Sequence, residues 1–327
     1  MSGKLRIGII GCGDFLRLRA ADLLSSRQVE AKLLYSPVNS ANAERYAEIF
    51  GAKAADSPEA IINDPEIDVV CVFVPPFARK EYVLAAAKAG KQIVATKPLA
   101  ADLSDAREMT EAVEQAGVRC GVIYRRTNNP VIEAYKEIFS GGEFGKLALY
   151  KQDWLHHYPT WNRWATDPKK NGGPFMDAML HNLNAARYLM GRRVVGRAFF
   201  SDDHTHSLAC DDTQFLKVDF EQGASAHLFI TWAAELAVYD SAKNDREHID
   251  QCFMVTDQGW LFRNEIREGK AVITATRNGL EKDFPVIPFE ETFFDRYAKE
   301  IKNRDILPAD LPDIREAYED LRILLEN

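Results

Sequence analysis

Residues Lys4 to Leu24, KLRIGIIGCGDFLRLRAADLL, constrain the fold more than any other stretch of this 327-residue chain. A short apolar run, Leu5 to Ile10, interrupted only by Arg6 and Gly8, predicts a strand. Gly11-Cys12-Gly13 comes next, and apolar residues then recur at helical spacing from Phe15 to Leu24. Strand, glycine turn and helix together present backbone N–H groups and the positive end of a helix dipole to one point, which suits a phosphate. Gly11 allows a tight turn, and Gly13 lets the backbone come close to a pyrophosphate. The third glycine of a G-x-G-x-x-G fingerprint falls on Leu16. The fingerprint is therefore incomplete, and alone it does not separate a nucleotide site from an ordinary strand-to-helix turn.

The next hundred or so residues continue the alternation. Val29–Tyr35 reads as a strand, Ala41–Phe50 as a helix stopped by Gly51, and Ala52–Ala55 as a short strand. Ser57-Pro58-Glu59 opens another helix. Asp68–Val74, DVVCVFV, is the near-continuous apolar run of a strand buried on both faces of a parallel sheet. A helix over Lys80–Ala89, a strand over Gln92–Ala95, a helix over Ser104–Ala116 and a strand over Val118–Ile123 complete a doubly wound α/β pattern. This first domain is expected to close near Tyr124, over residues 1–124, leaving 125–327 as a second domain.

Beyond Tyr124 the period changes. A helix over Pro130–Phe139 leads to strands of period-two character at Leu147–Trp154, Arg197–Ser201, Thr213–Phe220 and Ala224–Trp232. Glu221-Gln222-Gly223 and Asp257-Gln258-Gly259 read as hairpin turns, the second between Gln251–Thr256 and Trp260–Arg263. The second domain is thus α+β on a large, mostly antiparallel sheet.

A net charge of −8 without a Lys/Arg cluster offers no footprint for nucleic acid. No apolar run reaches the roughly 20 residues that cross a bilayer, and the N-terminus carries no secretory pattern. Five scattered cysteines without a C-x-x-C pair suit a reducing cytoplasm and argue against a structural zinc site.

Three further stretches carry candidate chemistry. Thr96-Lys97-Pro98 sits at the carboxyl end of a predicted parallel strand, where ligands of open α/β sheets bind. Pro98 restricts Lys97 to an extended backbone, and the ammonium can hydrogen-bond a hydroxyl or tune a neighbouring acid–base group. In the second stretch, Gly172 to Asn182, a helix is expected from Pro174 to Met190, which sets Asp177 and His181 four residues apart on one face. A carboxylate beside an imidazole orients it for proton transfer near neutral pH, although such pairs also occur on plain helix surfaces. The third stretch holds Trp154, His156, His157, Tyr158, Trp161, Arg163 and Trp164. Aromatic faces with interleaved polar tips suit a sugar or polyol; equally, such tryptophans can be core and the histidines exposed. No carboxylate or cysteine stands at ligand spacing from His156 and His157, so no metal site is expected.

These motifs, with AERYAEIFGA, IDVVCVFVPP, AAAKAGKQIVATKPLA, YRRTNNP and the GG-x-x-x-D-x-x-x-H segment running on as NLNAARYLMG, resemble the Gfo/Idh/MocA family of NAD(P)-dependent oxidoreductases over essentially the whole chain. The resemblance implies a Rossmann domain followed by an α/β domain whose open-faced sheet mediates homodimers or homotetramers. It places the family's E-K-P lysine on Lys97 and its D-x-x-x-H pair on Asp177 and His181. It implies His181 as acid–base group, with Lys97 assisting and Asp177 holding substrate or histidine. It implies a cofactor along Gly8, Gly11, Gly13, Asp14, Phe15, Ser36, Val74, Pro75, Arg79, Thr96 and Lys97. Arg125, Arg126, Trp154, His157, Trp164, Asp177 and Asn182 are the candidate substrate residues. The sequence departs from the family at Thr96 for glutamate, Leu16 for glycine, Arg79 for histidine and Met179 for glycine.

An acidic residue ending the second strand favours NAD; here Tyr35-Ser36-Pro37-Val38-Asn39 has none, which tilts the expectation from NAD toward NADP. The expected activity is hydroxyl–carbonyl interconversion on a sugar, polyol or sugar derivative in the cytoplasm. Two alternatives stand beside it: an NAD-dependent, redox-neutral glycosidase, and a non-catalytic nucleotide-binding regulator.

Overall fold

The computed structural model describes residues 3–160, 164–236, 248–303 and 310–326. The chain divides into two compact units, one of Met1–Asn128 with Phe289–Asn327 and one of Asn129–Pro288.

In the first unit β1 (Leu5–Ile10), α1 (Asp14–Ser25), β2 (Val29–Tyr35), α2 (Ser40–Phe50), β3 (Lys53–Ala54) and α3 (Pro58–Ile62) alternate. They continue as β4 (Val69–Val72), α4 (Lys80–Lys88), β5 (Gln92–Thr96), α5 (Leu103–Ala116) and β6 (Cys120–Ile123). The six strands pair in parallel in the order β3-β2-β1-β4-β5-β6, the doubly wound sheet anticipated from the alternation. The helices stop where expected: Gly51 and Gly117 adopt left-handed backbone, and Asn39, Ser57 and Asp102 cap α2, α3 and α5 with their side chains.

The second unit carries α6 (Pro130–Ser140), β7 (Leu147–Leu155) and α7 (Leu180–Met190). Its remaining strands are β8 (Val194–Asp202), β9 (Thr213–Phe220), β10 (Ser225–Thr231), β11 (Ile249–Thr256), β12 (Leu261–Arg267), β13 (Lys270–Arg277) and β14 (Leu280–Pro285). The eight-stranded sheet runs β14-β13-β12-β11-β7-β10-β9-β8 and is antiparallel except between β7 and β10. Along β7, β9 and β10 buried and half-exposed side chains alternate, so one face is covered and the other open. Phe139 and Phe144 meet Phe262 edge-on, with ring centroids 5.1 and 5.4 Å apart, on the covered side.

The end of the chain departs from the expected division at residue 124. Residues 289–327 belong to the first unit, through α8 (Phe293–Lys302) and α9 (Ile314–Leu325). Phe293, Phe294 and Tyr297 enter its hydrophobic core, and the Tyr297 hydroxyl donates to the carbonyls of Ile93 and Arg119 at 2.5 and 2.9 Å. A Cβ on Gly121 would stand 2.7 Å from the Tyr297 ring, so β6 needs glycine where the helix crosses. Thr292 caps α8, and Asp295 closes the capping box on the Thr292 amide and also accepts from Ser26 Oγ and the Arg27 and Gln28 amides, tying α8 to the loop before β2. Those partners lie more than 260 residues away in sequence, so no local pattern announces them.

Candidate active site

The glycine turn is built as its spacing suggests, but the glycines divide the labour differently. Gly11 has φ +105°, and a Cβ there would lie 2.7 Å from the Phe73 carbonyl carbon, so it lets β1 pass the end of β4. Gly13 caps α1 without a side-chain cap bond, and a Cβ on it would meet no atom within 4 Å. The first-turn N–H groups of α1 thus face an open approach, which fits a pyrophosphate. Gly8 does not belong with them: it is buried in β1, and a Cβ would stand 2.2 Å from Ile61 Cγ2, so α3 packing accounts for it. Leu16, in the third fingerprint position, is fully buried in the core beneath α1 and serves packing. Asp14 is exposed and pairs with Arg17 at 3.4 Å, and the Phe15 ring tilts against Phe73 at 5.0 Å. Ser36 comes directly after β2, and the Gly11 amide donates to the Tyr35 carbonyl at 2.8 Å, which joins the strand end to the turn.

Arg79 is not where the resemblance puts a cofactor ligand. It is 1% exposed, and its terminal nitrogens donate to the carbonyls of Val74 (2.8 Å), Thr96 (2.6 Å), Pro98 and Leu99 (3.0 Å) and to Thr96 Oγ1 (2.7 Å). Burial lowers its pKa to about 10. The guanidinium therefore braces the turn that carries Lys97, and Thr96, itself buried, gives its hydroxyl to that brace. Lys97 is half-buried, with its amide donating to the Ile123 carbonyl at 3.4 Å. Val74 and Pro75 follow β4, and the Val74 carbonyl accepts from Arg79.

Arg126, expected to reach substrate, is buried and pairs with Glu316 of α9 at 3.1 Å. The helix that covers it lies in the returning C-terminal segment, which is why the sequence neighbourhood did not reveal the partner. Arg125 is half-buried.

In the second unit Gly172 and Gly173 both have positive φ (+84° and +98°). The Phe175 amide donates to Gln214 Oε1 at 2.8 Å, anchoring the segment on β9. The expected helix from Pro174 to Met190 is not one continuous α-helix: Phe175–Met179 winds as a π turn that runs into α7. Asp177 lies in the π turn and His181 in the first turn of α7, both half-buried. Such wide turns recur at functional sites because they re-aim side chains within a helix. Asn182 is buried and its side chain bonds the Tyr150 hydroxyl of β7, while its Oδ1 has no hydrogen-bond partner among the described residues. Met179, also fully buried, is core.

Of the aromatic loop, Trp161 and Arg163 lie outside the described residues. Trp154 is on the covered face of β7, with its ring 5.4 Å from His156. His156 is 2% exposed; its Nδ1–H donates to the His157 carbonyl at 2.7 Å, and burial lowers its pKa to about 4. His157 and Trp164 are half-buried.

A family model described as the oxidoreductase family, NAD-binding Rossmann fold, matches residues 5–124, and the GFO/IDH/MocA C-terminal domain matches residues 132–245. The chain belongs to the Gfo/Idh/MocA oxidoreductase family. Among its family relatives, scyllo-inositol 2-dehydrogenase (NAD(+)) of Bacillus subtilis is 25% identical over 93% of this chain and 86% of its own length. Myo-inositol 2-dehydrogenase of Thermotoga maritima is 27% identical over 91% of this chain and 86% of its own. The aldose-aldose oxidoreductase of Caulobacter crescentus shares the fold, with a TM-score of 0.82 at 19% identity over 98% of this chain and 95% of its own. As a Gfo/Idh/MocA member the chain is an oxidoreductase with an NAD(P)-binding Rossmann domain. Among the described residues no helix is long and apolar enough to cross a membrane.

Proposed function

We propose that this chain interconverts a hydroxyl and a carbonyl on a polyol, sugar or sugar derivative, with His181 as acid–base group and Lys97 and Asp177 assisting. The observation that carries the reading is that all three side chains have a prepared setting. Lys97 stands on a turn braced by a buried guanidinium, while Asp177 and His181 open a helix through a π turn. The relatives named for inositol oxidation carry the substrate class.

The open N-terminus of α1 over Gly13 fits a dinucleotide pyrophosphate. A bound nicotinamide supplies or accepts the hydride. His181 takes the proton of the hydroxyl being oxidised, or returns it to the oxygen being reduced, at a ring nitrogen. Lys97 has the assisting part that the family resemblance gives it, an ammonium able to hydrogen-bond an oxygen and stabilise negative charge developing there. Asp177 orients His181 or a neighbouring hydroxyl.

Ser36, without a carboxylate at the end of β2, leaves room for a 2′-phosphate, so NADP is the proposed partner in preference to NAD. The open sheet face, with Phe200 58% exposed and stacked on Phe215 at 6.1 Å, is the proposed subunit contact. The five free cysteines, all buried or half-buried, support a reducing cytoplasmic setting.

Separate titrations with NADPH and NADH, monitored by nicotinamide fluorescence and melting temperature, test the cofactor assignment. Saturation at a hundredfold excess over Kd stabilises by about 2.7 kcal/mol. Tighter NADPH binding, and nicotinamide turnover with an inositol or aldose, are the expected results. Binding of neither nucleotide, or sugar release without nicotinamide turnover, ends the proposal.

A further inference from the structure

The geometry points to a site for one divalent first-row transition cation, zinc in type, held by His157, His206 and Glu235 in the second unit. One potential ligand atom from each of the three lies within 4.8 Å of the other two. His157 Nε2 is 3.4 Å from Glu235 Oε2, and His206 Nε2 is 4.0 Å from Glu235 Oε1. Neighbouring ligands around a tetrahedral cation that binds nitrogen and oxygen at about 2.0–2.2 Å stand roughly 3.3–3.6 Å apart. The first pair already meets that spacing. The second needs a shift of under about 1 Å, and Glu235, 74% exposed, is free to rotate into it.

The histidines, by contrast, are held. His157 Nδ1 lies 3.0 Å from the Tyr158 carbonyl, which can only accept, so Nδ1 carries the proton and Nε2 keeps its lone pair toward Glu235. His157 itself is fixed by a bridge to Ala233 and by its amide bond to the Leu236 carbonyl at 2.7 Å. His206 sits on a loop whose amides at 204, 205 and 206 all donate to the fully buried Asp212 carboxylate, at 3.2, 2.9 and 3.1 Å. The hydroxyl of Thr213 bonds both Asp212 and Thr231, and Thr231 Oγ1 accepts the Ala233 amide. The Trp232 amide closes the circuit on the Asp212 carbonyl at 2.7 Å. A buried carboxylate thus ties together the segments that bear all three ligands, the support that metal ligands require.

His206 Nε2 shares its proton with the Trp232 carbonyl at 3.0 Å. A cation at Nε2 requires the proton to move to Nδ1, a tautomer change with no net release, and leaves the carbonyl oxygen beside it. Two imidazoles and a carboxylate are a zinc-type donor set that keeps one position open to water or another oxygen ligand. The sequence hid this site because the ligands are far apart along the chain. All three belong to the second unit, so the inference stands whether or not the proposed oxidoreductase chemistry holds.

The test uses the full chain after EDTA treatment and dialysis, titrated with Co2+ and then Zn2+. Visible d–d bands at one equivalent of Co2+, bleached by Zn2+, are expected. Losing an outer partner of a metal ligand costs about 10–100-fold in affinity, so His206→Ala and Glu235→Gln are each expected to weaken binding at least tenfold. His204→Ala, an exposed histidine outside the cluster, is expected to leave it unchanged. Melting curves of the metal-free variants confirm that each is folded. No binding by the wild type, or binding by Glu235→Gln and His206→Ala at the wild-type level, overturns the site and leaves His157–Glu235 a plain ion pair.

Discussion

Arg79 grips Thr96 twice, donating to its hydroxyl at 2.7 Å and to its carbonyl at 2.6 Å, and so fixes the residue that precedes Lys97. The family pattern has histidine and glutamate at these two positions. In this chain a buried cation bonded to carbonyls and a hydroxyl does the bracing, with no carboxylate in those bonds.

Replacing Arg79 by methionine leaves those carbonyls and the Thr96 hydroxyl buried without their donor. A loss of at least about 1–3 kcal/mol in unfolding free energy is expected, the cost of leaving a buried neutral acceptor without its hydrogen bond. Urea denaturation checks it, and a loss below about 1 kcal/mol contradicts the bracing role.

Gly8→Ala and Gly13→Ala separate packing from binding. The new methyl at position 8 meets Ile61 at 2.2 Å and is expected to cost about 1–3 kcal/mol of stability. At position 13 it meets nothing within 4 Å, so melting hardly changes while nicotinamide nucleotide binding weakens. The two variants are compared by thermal melts with and without nucleotide.

His156 gives stability a pH dependence of known sign. Its folded pKa of about 4 lies below the ordinary value of 6.5, so between those limits the unfolded chain binds more protons. The contribution is complete above about pH 6.5 and is lost as pH falls toward 4, up to about 3 kcal/mol. His156→Gln removes that part of the slope, as read from urea midpoints across the window.

His181→Ala and Lys97→Met are expected to lower kcat by about 10²–10⁴-fold, with nucleotide affinity unchanged in His181→Ala. Steady-state rates beside fluorescence titration decide this, and unchanged turnover in both variants removes their assigned roles.

Ser36→Asp places a carboxylate at the end of β2. It is expected to turn the preference from NADPH to NADH, through repulsion of a 2′-phosphate and a new bond to the ribose hydroxyl. The ratio of the two dissociation constants measures it.

By itself the sequence determined the alternating β1–β6 framework, the hairpins around Gln222 and Gln258, and the family to which Lys97, Asp177 and His181 belong. Each rests on a local signal: apolar periodicity, a glycine with left-handed backbone, a capping side chain, a short motif. Tertiary structure decided what depends on distant burial. Residues 289–327 fold back onto the first unit because Phe293 and Tyr297 complete its core. Arg79, Arg126 and Asn182 turn inward because their partners come from other parts of the fold: the carbonyls around Thr96, the half-exposed Glu316 carboxylate and the Tyr150 hydroxyl. His157, His206 and Glu235 meet only because β7, β10 and β9 are neighbours in the sheet and Asp212 pins the loop from β8 to β9 that carries His206. A sequence shows which groups a chain has, and the burial of polar atoms, which demand partners wherever the fold puts them, fixes which groups meet.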